Sequence, residues 1–143
     1  MTKKIDEKRR MTIEIGDKTY SLRFGIKFLR EINLVEDGLI LAVAGLLEGD
    51  VEEIFRLLKA SMNTHDSVTV EQLEEYIEYD ADIDKLVEDF LLILPAMNTT
   101  KKIVNHSLPR LKKLQENQEK MQELAIQEME QEIQDKLNLD PKE

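Results

Sequence analysis

A strict alternation of apolar and polar side chains near the N-terminus constrains the fold of this chain more than any other sequence feature. Apolar side chains occupy every second position on both sides of Gly16-Asp17, namely Met11, Ile13 and Ile15 before it and Tyr20, Leu22 and Phe24 after it. Alternation on both sides of a two-residue turn predicts a β-hairpin over residues 11–24 with one apolar face. Because a lone hairpin is marginally stable in water, the residues that follow must cover this face.

Beyond Phe24 the apolar spacing changes to the three- and four-residue steps of α-helices, and no convincing strand pattern returns. The three-residue spacing of Ile26, Leu29 and Ile32 predicts a first short helix. Residues 37–48 are almost all apolar. This run is too short to cross a bilayer, so it predicts a helix that is buried on most sides at the centre of the core.

Capping signatures mark the start of further helices. Asp50 is followed by Glu53, and Thr69 is followed by Gln72, which is the spacing of a capping box. A further helix is predicted from Asp82 to near Pro95, where proline would interrupt the helical hydrogen bonds. The predicted inward positions of the three helices are Val51, Ile54, Leu57, Leu58 and Met62; Val70, Leu73, Tyr76 and Ile77; and Ile83, Leu86, Val87, Phe90, Leu91 and Leu94.

The composition changes beyond Asn98, where Gln and Glu dominate and aromatic residues are absent. Leu108-Pro109 is typical of the first turn of a long helix, and we therefore place the end of the core before it. The predicted fold class is α+β and mostly α, with an N-terminal hairpin packed on about five helices and a long C-terminal helix. The predicted division is a disordered, charged N-terminus at 1–10, a core at 11–107, and a partly disordered, acidic, Gln- and Glu-rich helical extension at 108–143.

Composition and motifs argue against catalysis, metal binding and nucleic-acid binding. The chain has no cysteine, and its net charge of −10 repels phosphate backbones. Asp80-Ala81-Asp82-Ile83-Asp84 begins like a calcium loop, but Lys85 stands where that loop needs glycine and Leu91 where it needs glutamate. These aspartates favour a helix N-terminus instead. His65 and His106 are not at a metal-ligand spacing, so no metal, cofactor or catalytic residue is predicted.

The sequence also predicts where the protein works. The charged N-terminal segment is not followed by an apolar stretch of signal-peptide length, and no apolar run reaches the roughly 18 residues of a membrane span. We therefore expect a cytoplasmic protein with no membrane partner.

The segment from Thr12 to Glu31, TIEIGDKTYSLRFGIKFLRE, resembles the opening of the tail assembly chaperones of long-tailed, siphovirus-type phages and prophages of Gram-positive bacteria. Members of that family begin with a short hairpin that passes directly into a helix of the form G-I-x-F-L-R-E. The resemblance extends over about residues 11–100 and includes the Gly49-Asp50 break and the Thr69 cap.

The resemblance implies a non-catalytic chaperone that binds the tape measure protein, keeps it soluble, helps recruit tail tube subunits and leaves the finished tail. It also implies that a longer product, made by ribosomal frameshifting, carries the tube-binding part. The alternatives left open are a structural tail or capsid component retained in the particle, and a small prophage regulatory protein.

The C-terminal extension supplies the candidate contact residues for such a client. An acidic protein with exposed Met and Leu side chains can cover an apolar client while its charge keeps the complex in solution. The predicted partner-binding residues are Met121, Leu124, Met129, Ile133 and Leu137. The same residues could instead fold back on the core, or pair between copies in a homo-oligomer.

Overall fold

The computed structural model describes residues 10–138 and confirms the predicted mostly helical α+β fold. The elements, in chain order, are β1 (Thr12–Ile15), β2 (Lys18–Ser21), α1 (Ile26–Ile32), α2 (Gly38–Glu48), α3 (Val51–Ser61), α4 (Val70–Glu75), α5 (Ile83–Ile93) and α6 (Lys101–Asn138). A π-helical turn, Tyr76–Asp80, continues α4. The predicted charged N-terminus lies outside the described residues except for Arg10, as do the last five residues of the predicted extension.

The hairpin has the predicted turn and the predicted apolar face. The two strands are antiparallel, with Ile15 opposite Lys18 and Thr12 opposite Ser21. Gly16 holds a φ of +65°, a left-handed conformation that glycine adopts without a Cβ penalty. After β2, the ring of Phe24 meets those of Phe28 and Phe90 edge to face, at centroid distances of 5.0 and 6.1 Å. These aromatic contacts join the end of the hairpin to α1 and α5.

Helices α2 and α3 form the centre of the core. Ile54, Leu57 and Leu58 of α3 are fully buried, as predicted. A Cβ placed on Gly45 of α2 would lie only 2.3 Å from the Cβ of Glu53, so glycine allows the two helices to approach closely. Arg56 of α3 donates hydrogen bonds to the carbonyl oxygens of Ile32 and Gly38, which fixes the loop between α1 and α2 to α3.

Two of the predicted inward positions are wrong, and they share one cause. Val51 and Val70 are 48% and 43% exposed, and each is the first residue of its helix. Ile26, the first residue of α1, is likewise 55% exposed. The first residue of a helix precedes the turns that pack against neighbouring elements, so a periodic pattern that includes it extends the buried face too far. In α1 the buried pair is Phe28 and Ile32, one turn apart.

The two predicted helix caps differ in their geometry. Thr69 and Gln72 form both hydrogen bonds of a capping box. The side chain of Asp50 accepts a hydrogen bond from the backbone N–H of Glu52, so Asp50 caps α3 as predicted. The carboxylate of Glu53 does not close a box, because it accepts two hydrogen bonds from the guanidinium of Arg56.

The predicted start of the long helix at Leu108-Pro109 is wrong, because α6 begins at Lys101 and contains Pro109 in its interior. The buried hydroxyl of Thr100 donates to the carbonyl oxygen of Leu94 at 2.6 Å, and the N–H of Lys101 donates to Met97. These bonds close the turn after Pro95 and set the first residue of α6. Val104 is buried one turn later, so the core continues beyond α5.

Candidate functional site

The N-terminal half of α6 is anchored to the core. Val104 is buried, and Leu108 and Leu111 pack against the hydrophobic cluster at four- and three-residue steps. The side-chain amide of Gln115 donates a 2.6 Å hydrogen bond to the carbonyl oxygen of Leu47, near the end of α2. Gln115 is partly buried, and every later side chain up to residue 137 is exposed.

The C-terminal half of α6 projects into solvent, and we call residues 116–138 the arm. Every side chain from 116 to 137 is exposed. At a rise of about 1.5 Å per residue the arm extends roughly 35 Å from its last anchored residue. The first turn of a free helix is costly to form, but the arm continues an anchored helix and therefore avoids this cost of nucleation.

All five predicted contact residues lie on the arm, and each is more than half exposed. Their exposed fractions run from 56% for Leu124 to 69% for Met121. None of the five packs against the core cluster. Their part in binding a partner stays a prediction.

The exposed apolar side chains of α6 form two separate faces. A helix turns about 100° per residue, so Ile126, Met129, Ile133 and Leu137 fall within an arc of about 80°, which we call the Ile126 face. Leu114, Met121 and Leu124 fall within a similar arc, which we call the Met121 face. On the same geometry, Met121 and Leu124 lie about 140° and 160° around the helix from Ile126. The predicted residues are therefore divided between nearly opposite sides of the arm.

Ile126 was not among the predicted contact residues, although its position joins three of them. It lies three residues before Met129 and seven before Ile133, so neighbouring turns place these side chains side by side. Its closeness in sequence to Leu124 obscured this, because two apolar residues separated by one position point to different sides of a helix. Ile126 could have been identified by following the three- and four-residue steps along each face of the helix separately.

The arm is strongly acidic. Residues 116–138 contain seven carboxylates, Glu116, Glu119, Glu123, Glu128, Glu130, Glu132 and Asp135, and two lysines, Lys120 and Lys136. The basic residues of α6, among them Arg110, Lys112 and Lys113, are instead mostly on its anchored half. The apolar side chains of the arm are thus interspersed with mostly negatively charged side chains.

Within residues 10–138, no group of three or more His, Asp or Glu side chains is arranged to hold a metal ion. In the same range, no helix combines the length and hydropathy needed to cross a membrane. Asp82 of the predicted aspartate-rich helix start caps α5, accepting a hydrogen bond from the backbone N–H of Lys85.

A comparison with known protein families identifies a match over most of the chain. A family model described as a phage tail assembly chaperone protein, TAC, matches residues 12–108, which is more than half of the 143-residue chain. No match was found among the curated proteins, and none among the solved structures. The matched range runs from the hairpin to the anchored half of α6 and ends before the arm begins.

Proposed function

The chain belongs to the phage tail assembly chaperone family, and from this premise we propose that it binds the tape measure protein during tail assembly. In this proposal the chain is not an enzyme. It keeps the long tape measure chain in solution in the cytoplasm of the host bacterium, helps recruit tail tube subunits, directly or through a longer frameshifted product, and is absent from the finished particle.

The observation that supports this function is the projecting, amphipathic arm. The five predicted contact residues lie on the arm and do not pack against the core cluster; they are Met121, Leu124, Met129, Ile133 and Leu137. Exposed apolar side chains at helical spacing are the usual means by which one helix binds an apolar groove or another helix. Methionine adapts its shape to different neighbours, which suits a client with a varied apolar surface.

We assign the first contact with the client to the Ile126 face. Ile126, Met129 and Ile133 occupy consecutive turns and form a continuous apolar surface, whereas six residues separate Leu114 from Met121 on the Met121 face. The excess of carboxylates on the arm would keep a complex with many copies of the chain in solution through mutual repulsion.

The test is co-expression of the full chain with the tape measure protein from the same tail gene cluster, followed by affinity capture and measurement of the size of the complex. The substitutions Ile126→Gln, Met129→Gln and Ile133→Gln together should reduce client capture strongly. A loss of about 1 kcal/mol for each partly buried side chain totals about 3 kcal/mol, or roughly a hundredfold in Kd.

The matched control is the pair Met121→Gln and Leu124→Gln, which makes a similar change on the opposite side of the same helix. Retained capture by this control, with loss in the Ile126-face variant, would support the assignment. The reverse result would move the contact to the Met121 face. If the client stays insoluble and the unchanged chain elutes alone, the chaperone proposal fails, and purified virions should then be examined for the chain as a retained structural component.

A further inference from the structure

The two edges of the hairpin differ in what covers them. In an antiparallel pair, alternate residues direct their backbone N–H and C=O groups toward the partner strand, and the residues between them direct these groups outward. The N–H of Leu22 donates to the carbonyl oxygen of Met11 at 2.9 Å, so Met11, Ile13 and Ile15 pair inward. Thr12 and Glu14 therefore direct their backbone groups outward from β1.

The outer edge of β2 is occupied at its C-terminal end. The carbonyl oxygen of Ser21 accepts a hydrogen bond from Nε2 of His65 at 2.7 Å. The N–H of Arg23, just beyond β2, donates to the carbonyl oxygen of Ser61 at 2.8 Å. The ring of His65 also meets that of Tyr20 edge to face. The end of α3 and the loop that follows it thus cover this end of the β2 edge.

Among the described residues, no element covers the outer edge of β1. Within residues 10–138, the backbone N–H and C=O groups of Thr12 and Glu14 make no hydrogen bond, and the sheet has only two strands. An unpaired strand edge is a template for a further strand, and proteins usually cover or block such edges. A short open edge beside a groove is the arrangement used when an extended peptide adds to a sheet.

A groove of about 710 Å³ lies beside this edge, between the hairpin and α5. Thr12 and Glu14 of β1 and Thr19 of β2 line one side, and the π-helical turn and α5 line the other. Tyr76 lies half-buried in the groove wall, and burial is the main cause that raises the pKa of its hydroxyl above the ordinary value. The hydroxyl therefore stays protonated at neutral pH and can donate a hydrogen bond.

The groove is acidic. Its charged lining consists of four carboxylates, Glu14, Asp80, Asp82 and Asp89, and one ammonium group, Lys85. The ammonium group is already engaged, since it lies 2.9 Å from the carboxylate of Asp89. Neither Glu14 nor Asp80 has an ion-pair partner among residues 10–138. The surplus of negative charge beside the open edge selects for a positively charged occupant.

We propose that the open edge of β1 binds an extended, lysine- or arginine-rich segment of a partner protein by strand addition. Hydrogen bonds to the backbone of Thr12 and Glu14 hold the segment, and its alternate basic side chains meet Glu14 and Asp80. This site is separate from the arm, so it does not depend on the function proposed above. Substitutions on the Ile126 face should leave it unchanged.

The experiment titrates the full chain with a blocked eight-residue peptide in which lysine alternates with valine or threonine, and follows Kd by calorimetry at low and high salt. We expect one peptide per chain and weaker binding as salt rises. A peptide with the same side chains but alternate N-methylated amides should bind about tenfold more weakly, because it lacks the donors for the strand edge. Equal binding of the two peptides would overturn strand addition.

Two matched proline variants test which edge of the hairpin the peptide binds. Thr12→Pro removes an outward N–H from β1 and should weaken binding about tenfold, while Ser21→Pro removes the equivalent group from β2, at a residue that does not line the groove, and should not. Asp80→Lys keeps the backbone unchanged and should also weaken binding, so the proposal is testable even if a proline variant does not fold. Equal effects of the two proline variants, or an unaffected Asp80→Lys chain, would contradict it.

Other occupants of the β1 edge would give different experimental results. If the peptide binds only after residues 1–10 are deleted, the edge belongs to the basic N-terminal segment of the chain itself. If sedimentation shows a dimer that the peptide dissociates, the occupant is a second copy of β1. Either result would overturn the proposal of a partner protein.

Discussion

The two halves of α6 carry apolar side chains at the same spacing but use them differently. Val104, Leu108 and Leu111 are buried or packed against the core, whereas Ile126 and Met129, three residues apart, are exposed. Leu108 and Ile126 are about five helical turns apart, so they lie on the same side of the helix. The spacing predicts a helix and its apolar side. Whether that side is buried depends on whether α2 extends far enough along α6 to pack against it.

This difference separates stability from binding along one continuous helix. Apolar side chains on the anchored half are removed from water on folding and contribute to stability. Side chains on the arm remain in water, so their burial against a partner stabilises only the complex. Substitutions in the two regions should therefore have different effects on the free energy of unfolding.

The largest effect is expected for Phe90→Ala in the core. Phe90 is fully buried and its ring packs against that of Phe24. Replacing a buried phenylalanine with alanine removes apolar contacts and leaves a cavity, which typically lowers the free energy of unfolding by about 3–5 kcal/mol. Urea denaturation followed by circular dichroism measures this loss.

The matched substitution on the arm is Met129→Ala. Met129 is mostly exposed, so its replacement should change the free energy of unfolding by less than about 0.5 kcal/mol. If the two substitutions destabilise the chain equally, the arm is packed against the core or against another copy, and the distinction between the two regions is lost.

A smaller change in the free energy of unfolding is expected for Gly45→Ala, and its sign tells whether the two helices are tightly packed. In an exposed helix interior this change usually stabilises a protein, by up to about 1 kcal/mol. In α2 the new Cβ would meet the Cβ of Glu53, so the helices must separate, and overpacking of this kind costs about 1–3 kcal/mol. Thermal and urea unfolding of the variant decide the sign, and an increase in stability would show that α2 and α3 can move apart freely.

The local features of the fold could be predicted from the sequence because their causes are local. The alternation around Gly16, the caps at Asp50 and Thr69 and the stop near Pro95 each depend on a few neighbouring residues, and the structure contains all of them. The errors at Val51 and Val70 arose where periodicity was extended to helix ends.

The start of α6 could not be predicted from local signals because its cause is tertiary. Proline is common in the first turn of a helix, so Leu108-Pro109 was a reasonable start on local evidence. The structure begins the helix earlier because Thr100 is buried against Leu94 and Val104 fills the core beyond α5. A helix can contain Pro109 when packing compensates for the missing hydrogen bond.

The candidate site could be predicted only in part, because it also depends on tertiary packing. The sequence identified the apolar residues of the arm, but one combined pattern mixed the Ile126 face with the Met121 face. The helical steps of the sequence can divide the two faces, but only the packing of Leu108 and Leu111 shows which side of the helix is anchored. The open edge of β1 was missed altogether, because the sequence does not indicate which edge of a hairpin other elements cover.

The smallest effect on stability is expected for truncation after Gln118, which removes nearly all of the arm but keeps the hydrogen bond from Gln115 to Leu47. Every side chain removed up to residue 137 is exposed, so the free energy of unfolding should change by less than about 0.5 kcal/mol, although the helical signal falls. Truncation after Arg110 is the matched control, because it also removes the partly buried Leu111 and the Gln115 hydrogen bond. That control should lose about 2 kcal/mol. Equal stability of the two truncated chains would mean that the anchored half of α6 ends before Leu111, whereas a large loss on truncation after Gln118 would mean that the arm itself supports the core.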